Sequence, residues 1–246
     1  RVRPHPLRLL IHIQAVIAQL APATDHQRAV ADLAVLAFFF LLHPGEYCKS
    51  RPDTESHPFR LRDVTFSVGA ANHNAATAPI DRILQADYVA LYSTTQKNGV
   101  RGEAIGHGAS GHATACPLRA LRRRVFYLRS VGAHPDTPLC AVLERHRWRL
   151  VPSTAITAAL RASAVDIGDS LGLQPSDISA RALRAGGAMA LLLGKVDYAT
   201  IQLIGRWRSD QILRYLHVSA CPIMQGYARL MTEHGAYRQF PTATLD

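Results

Sequence analysis

The chain has 246 residues, 48% of them hydrophobic and 19% charged, which excludes a disordered polyelectrolyte and leaves one large domain or two small ones. Lysine and arginine number 28 against 18 aspartates and glutamates, and the formal net charge of +10 points to a polyanionic partner, nucleic acid before an acidic membrane surface. Four scattered cysteines (Cys48, Cys116, Cys140, Cys221) without a CxxC pair, and 12 histidines without HExxH spacing, argue against a zinc ribbon, a disulfide scaffold or a metal site and fit free thiols in a reducing compartment.

The first 23 residues imitate a signal peptide, basic and then apolar, but His12, Gln14 and Gln19 interrupt the apolar run and its spacing suits an amphipathic helix over 6–20. A second helix is predicted over 25–42, ending in LAFFFLL before His43-Pro44-Gly45. That run is too short to span a bilayer. The alternation in FRLRDVTFSV predicts a strand, GAANHNAATAP an exposed loop, YVALYSTTQ a second strand and EAIGHG a third. Asn98-Gly99 is a tight-turn dipeptide, which puts Lys97 at the tip of a hairpin. From Pro117 onward the pattern reads as helical: 117–129, 153–167 with Ser153 as N-cap, 180–193, 198–207 and 209–220. The expected fold is α+β, mainly helical, with a small three-stranded antiparallel sheet.

Three groups of residues invite chemistry. Gly106, Gly108 and Gly111 have GxGxxG spacing, but no acidic residue follows at the distance a dinucleotide site needs, so they read as loop glycines. The helix PLRALRRRVFYLR carries Arg119, Arg122, Arg123, Arg124 and Arg129, either a solvated face or a set of phosphate contacts that would give affinity without sequence choice. In the last third, Arg181 and Arg184 share a helix face, Gly186 and Gly187 allow close backbone approach, and Arg206, Trp207, Arg208 and Tyr215 follow. Arginine can grip two phosphate oxygens at once, and a phenol beside such a clamp can attack phosphorus. The alternative is a half-buried packing tyrosine among surface arginines.

The stretch ARALRAGGAMALLLGKVDYATIQLIGRWRSDQILRYLHV resembles the signature region of tyrosine recombinases, the phage-integrase-like superfamily, and the variants of eukaryotic mobile elements in particular. The resemblance extends back through the Lys97 hairpin to LAFFFLLHPGEY. It implies the DNA breaking-rejoining catalytic fold, with residues 1–246 as a single catalytic domain and 1–24 as a remnant or linker from an N-terminal core-binding domain. It implies DNA integration or recombination without metal or cofactor, through a 3′-phosphotyrosyl bond and a free 5′-hydroxyl. Tyr215 matches the nucleophile, Arg184 the second catalytic arginine and Lys97 the lysine that protonates the leaving oxygen. The histidine-or-tryptophan phosphate contact falls on Arg206 by spacing or on Trp207 by chemistry, the indole N–H favouring Trp207. The implied DNA contacts are Arg119, Arg122, Arg123 and Arg208.

Two positions depart from the family pattern. His43 stands where the first catalytic arginine belongs, three residues before its acidic partner Glu46, and a mostly neutral imidazole cannot make a two-pronged grip. Arg181 replaces the histidine of the HxxR motif, keeping a donor and losing a proton acceptor. The alternative function is therefore a catalytically inactive DNA-binding remnant of a mobile-element recombinase. Type IB topoisomerases use the same chemistry, so relaxation and recombination both remain open. The implied partners are double-stranded DNA and further copies of the chain in a tetrameric synapse, with no membrane. The implied location is intracellular and DNA-associated, in the nucleus if the source is eukaryotic.

Overall fold

A computed structural model describes residues 6–20, 23–49, 57–92, 104–167 and 174–207. Its centre is helix α2 (Asp25–Phe39), in which every residue from Ala29 to Phe38 is buried. A helix without a polar face must be covered on all sides. α1 (Pro6–Gln19), α5 (Pro117–Ser130), α6 (Ser153–Ile167) and α7 (Ala182–Leu193) supply that cover. The start of α2 is fixed by a capping box, Gln27 N–H donating to Thr24 Oγ1 and Thr24 N–H to Gln27 Oε1.

α1 is part of this core, because Leu9, Leu10 and Ile13 are buried in the same cluster as the α2 side chains. Its His12 also bonds Ser163 of α6 at 2.8 Å, which gives one of the polar residues that interrupt the apolar run a structural use. Among the described residues no helix is long and apolar enough to cross a membrane.

The sheet has four strands, one more than the sequence suggests, in the antiparallel order β2-β1-β3-β4: β1 (Val64–Val68), β2 (Ala71–Asn74), β3 (Tyr88–Tyr92) and β4 (Ala104–Gly108). β2 lies in the stretch expected to be a loop. Its ANHN sequence is polar because it is an exposed edge strand that buries little. A short helix α4 (Ile80–Gln85) connects it to β3. Gly106 and Gly108 lie in β4 rather than in a loop, and a side chain at Gly106 would collide with the Tyr88 ring. The Lys97 tip lies outside the described residues.

The region after Pro117 is not wholly helical. Between α5 and α6 stands a separate hairpin, β5 (Ala141–Glu144) with β6 (Arg147–Leu150). Its two-residue turn, Arg145-His146, has positive φ at both positions (48° and 62°). Such turns usually recruit Asn-Gly, and a side chain there costs about 1–2 kcal/mol per residue. α6 matches the expected 153–167, with Ser153 as its first residue rather than the residue before it. α7 and α8 (Tyr198–Gly205) follow. The expected 209–220 helix lies outside the described residues.

The arginines of α5 hold the fold. Arg124 is 2% exposed and donates to the carbonyls of Leu139 (3.0 Å) and Ala141 (2.6 Å), tying α5 to β5. Arg123 grips the buried Asp32 of α2 through two nitrogens at 2.8 and 2.5 Å. Arg122 reaches the carbonyls of Ile83 and Ala86 at the end of α4, and Arg129 that of Ala78. A buried guanidinium needs its N–H groups satisfied, and the carbonyls left open at helix and strand ends satisfy them.

The sheet docks on the end of α2 through His107 of β4, whose ring lies edge-on to Phe40 at 4.8 Å and to Phe39 at 6.1 Å. Burial pushes His107 below the ordinary histidine value, opposed by its hydrogen bond to the Phe39 backbone. The unfolded chain therefore takes up a proton at a pH where the folded chain does not, and stability falls as the pH drops through about 6.5. In urea titrations from about pH 7 downward the wild-type midpoint should fall, and His107→Phe, which keeps a ring against Phe39 and Phe40, should remove part of that fall. An unchanged pH profile in the variant would show that His107 is not a source of it.

Candidate functional site

α2 ends at a tight corner. Leu41 is fully buried yet has φ of 49°, and the chain then re-enters a short helix, α3 (Pro44–Tyr47). Pro44 sets the first turn, and the Glu46 carboxylate accepts the His43 N–H at 2.7 Å. Two further bonds pin this turn: Phe59 N–H donates to the Glu46 carbonyl at 2.9 Å, and the buried Tyr47 hydroxyl donates to the Ala180 carbonyl at 3.1 Å, just ahead of α7.

α7 delivers Arg184 to the same place. It can approach because Gly187 faces α2: a β-carbon there would lie 2.2 Å from the Phe38 carbonyl oxygen and 2.5 Å from Leu41 Cδ2. Arg184 is 4% exposed, and its two terminal nitrogens donate to the carbonyls of Leu41 and Gly205, each at 2.6 Å. Its guanidinium lies over the Trp207 ring, 4.3 Å from the centroid, a cation–π stack in a desolvated setting. Trp207 in turn lies against Gly205, where a β-carbon would come within 1.7 Å of its ring.

α8 ends with Arg206 in the left-handed conformation (φ 56°), which directs its side chain back towards α3. There Arg206 Nη2 meets Glu46 Oε2 at 2.9 Å, with both side chains more than nine-tenths buried (5% and 8% exposed). The Nη1 of Arg206 is buried without a hydrogen-bond partner among the described residues. Of the five non-glycine residues with positive φ among the described residues, Leu41 and Arg206 thus bracket Arg184. Backbone strain of about 1–3 kcal/mol at each is offset by charge-assisted bonds.

The structure therefore brings together His43, Glu46, Arg184, Arg206 and Trp207 from three distant stretches. Arg206 and Trp207 occupy distinct places in the cluster, Arg206 on Glu46 and Trp207 on Arg184. Arg206 meets the Glu46 carboxylate, whereas Arg184 is held by two main-chain carbonyls and the Trp207 ring, so two guanidiniums are buried in this corner of the fold. His43 itself is exposed at the head of α3. Arg181 shares the helical approach but is exposed at the N-cap of α7, apart from the buried Arg184. Lys97, Arg208 and Tyr215 lie outside the described residues.

The α5 arginines expected to contact DNA also have partners within the fold. Arg122 and Arg123 hold Ile83, Ala86 and Asp32, and Arg119 donates to the His112 carbonyl at 2.8 Å while remaining exposed. The residues that sequence reasoning missed are Leu41, Tyr47 and Gly205. They act through a main-chain carbonyl, a buried phenol and a missing side chain, which carry no motif. The Cys48, Cys116 and Cys140 thiols are free and buried, and among the described residues no group of three or more His, Cys, Asp or Glu side chains could hold a metal ion.

No protein-family model matches the chain, and no curated protein matches it.

The Glu46–Arg206 pair makes the cluster testable. Removing one member of a buried pair strands the other charge, at a cost of about 3–5 kcal/mol. Glu46→Ala should lower the unfolding free energy in denaturant titrations by about 3–5 kcal/mol, and Glu46→Gln, which still accepts the His43 N–H, by less. Equal stability of Glu46→Ala and wild type would show that the pair does not hold α3 against α8.

Proposed function

We propose that this chain is a tyrosine-recombinase catalytic domain that breaks and rejoins DNA through Tyr215. The observation that carries the reading is the convergence of Glu46, Arg184, Arg206 and Trp207, which the sequence singled out separately and which lie on three distant stretches of chain. Two guanidiniums close together, one of them with a buried Arg206 nitrogen unsatisfied among the described residues, suit an anionic group such as a phosphodiester.

In this reading the Tyr215 phenol releases its proton to solvent and its oxygen attacks phosphorus as the phosphorus–O5′ bond breaks. Lys97 gives its proton to the departing 5′-oxygen, leaving a 3′-phosphotyrosyl bond and a free 5′-hydroxyl. A second 5′-hydroxyl then reverses the step. The arginines stabilise the charge that gathers on the non-bridging oxygens, a contribution of about 10²–10³-fold per donor. Arg206 and Trp207 are the two candidates for the remaining phosphate contact. His43 offers one N–H where a guanidinium would offer a two-pronged grip, and a loss of up to that order is the consequence.

A second reading, a DNA-binding module that no longer cuts, is favoured by the exposed His43 at the head of α3. One experiment separates the two. With a duplex nicked beside the scissile phosphate, wild type should form a covalent adduct that survives denaturation, Tyr215→Phe none, and His43→Arg about 10²-fold or more adduct per unit time. Reversible binding without adduct in wild type and His43→Arg alike would support the binding module. Adduct formation by Tyr215→Phe would overturn the assignment of the nucleophile.

A further inference from the structure

The β5–β6 hairpin carries charge that has no ion-pair partner among the described residues. Arg145, His146, Arg147, Trp148 and Arg149 are all exposed, and the three arginines make no ion pair or side-chain hydrogen bond among the described residues. Six arginines elsewhere, Arg28, Arg60, Arg62, Arg82, Arg123 and Arg206, each meet a carboxylate. The hairpin arginines also stand together. They line one side of an open groove of about 930 Å³ whose other wall is the start of α2, from Ala23 to His26.

The two carboxylates in that groove are already engaged, Glu144 with His26 at 3.6 Å and Asp25 with Arg28 at 3.5 Å. Three guanidiniums thus outnumber the two carboxylates of the groove, beside a helix N-terminus whose dipole adds to the positive side. Arg147 and Arg149 are two residues apart on one strand, so they project on the same side about 7 Å from each other, a separation similar to that of successive phosphates on a nucleic-acid strand. The turn adds a second, independent indication. Arg145 and His146 occupy left-handed positions that glycine or asparagine would fill without strain, so the chain retains basic side chains there against a backbone preference.

We propose that this groove is a second binding surface, for the phosphodiester backbone of a nucleic acid, separate from the Arg184 cluster. The two lie at opposite ends of α2, a helix of 15 residues and thus about 22 Å long. A concave lining of this kind admits an extended polyanion. A flat anionic bilayer would meet the rim and leave the groove arginines unused. Guanidinium contacts to backbone phosphates give affinity and register with no choice of sequence.

The test uses the full chain with Tyr215→Phe, so that only reversible binding is read and the recombinase reading can fail without affecting the result. A labelled 20-base-pair duplex of mixed sequence is titrated over a range of salt. Each backbone phosphate contact contributes about −0.9 to the slope of log K against log salt. Replacing Arg145, Arg147 and Arg149 together by glutamine should weaken binding about 10-fold or more and flatten the slope by about 2 to 3. Titration of the parent should also alter the fluorescence of exposed Trp148, a change absent in Trp148→Phe.

Three results would overturn the proposal. One is an unchanged slope and affinity in the triple variant. Another is an equal loss when Arg8, Arg62 and Arg82, which lie outside the groove, are replaced instead, since net charge alone would then account for it. The last is binding to phosphatidylserine vesicles that depends on the three arginines while duplex binding does not. Thermal unfolding of both triple variants near the wild-type midpoint shows that the comparison concerns binding and not folding.

Discussion

A single guanidinium fixes the geometry of the candidate site. Arg184 lies where the end of α2, the face of α7 and the end of α8 meet, and burial there is tolerable only because its N–H groups find acceptors. Those acceptors are the carbonyls of Leu41 and Gly205, exposed to it by the two left-handed residues Leu41 and Arg206 that flank the cluster. Gly187 lets α7 come close enough for the reach, and Gly205 leaves room for the indole that covers the guanidinium. Each of these features is costly or uninformative alone, and together they satisfy one charge.

That arrangement gives Arg184 two kinds of work. Its two terminal nitrogens tie the corner after α2 to the end of α8. The stack on Trp207 fixes the plane of the guanidinium. Arg206 is organised in the same way, one nitrogen on Glu46 and another buried without a partner among the described residues. Glu46 also caps the turn that begins at His43, so the residue that departs from the recombinase pattern is held by the same carboxylate that holds the arginine of α8. Arginine at position 43 would enter a frame that is already built.

Much of the framework was legible from the sequence. The helices 6–20, 25–42, 117–129 and 153–167 have clear apolar periodicity or caps, and the structure has them within a few residues. Gly187 was readable as a close approach because a Gly-Gly pair inside a helix has few other uses. The failures have physical causes. β2 is an edge strand, so its residues never had to be apolar. The β5–β6 hairpin turns at Arg-His instead of Asn-Gly, so the usual turn signal is missing. The arginines of α5 look like a solvated face because sequence does not show the carbonyls they reach, contributed by residues 15 to 51 positions away. The cluster was legible as a set of residue types and spacings, but the parts played by Leu41 and Gly205 are backbone roles, which no residue type announces.

The most direct test of Arg184 as organiser is substitution by lysine, which keeps the charge but cannot reach two carbonyls while lying flat on an indole. The chain has two tryptophans, so in a Trp148→Phe background Trp207 is the only emitter. The expected result for Arg184→Lys in that background is a loss of about 2–4 kcal/mol in denaturant unfolding, with native-state Trp207 emission shifted to longer wavelength as the ring gains water. Unchanged stability and unchanged emission would contradict the central role given to this guanidinium.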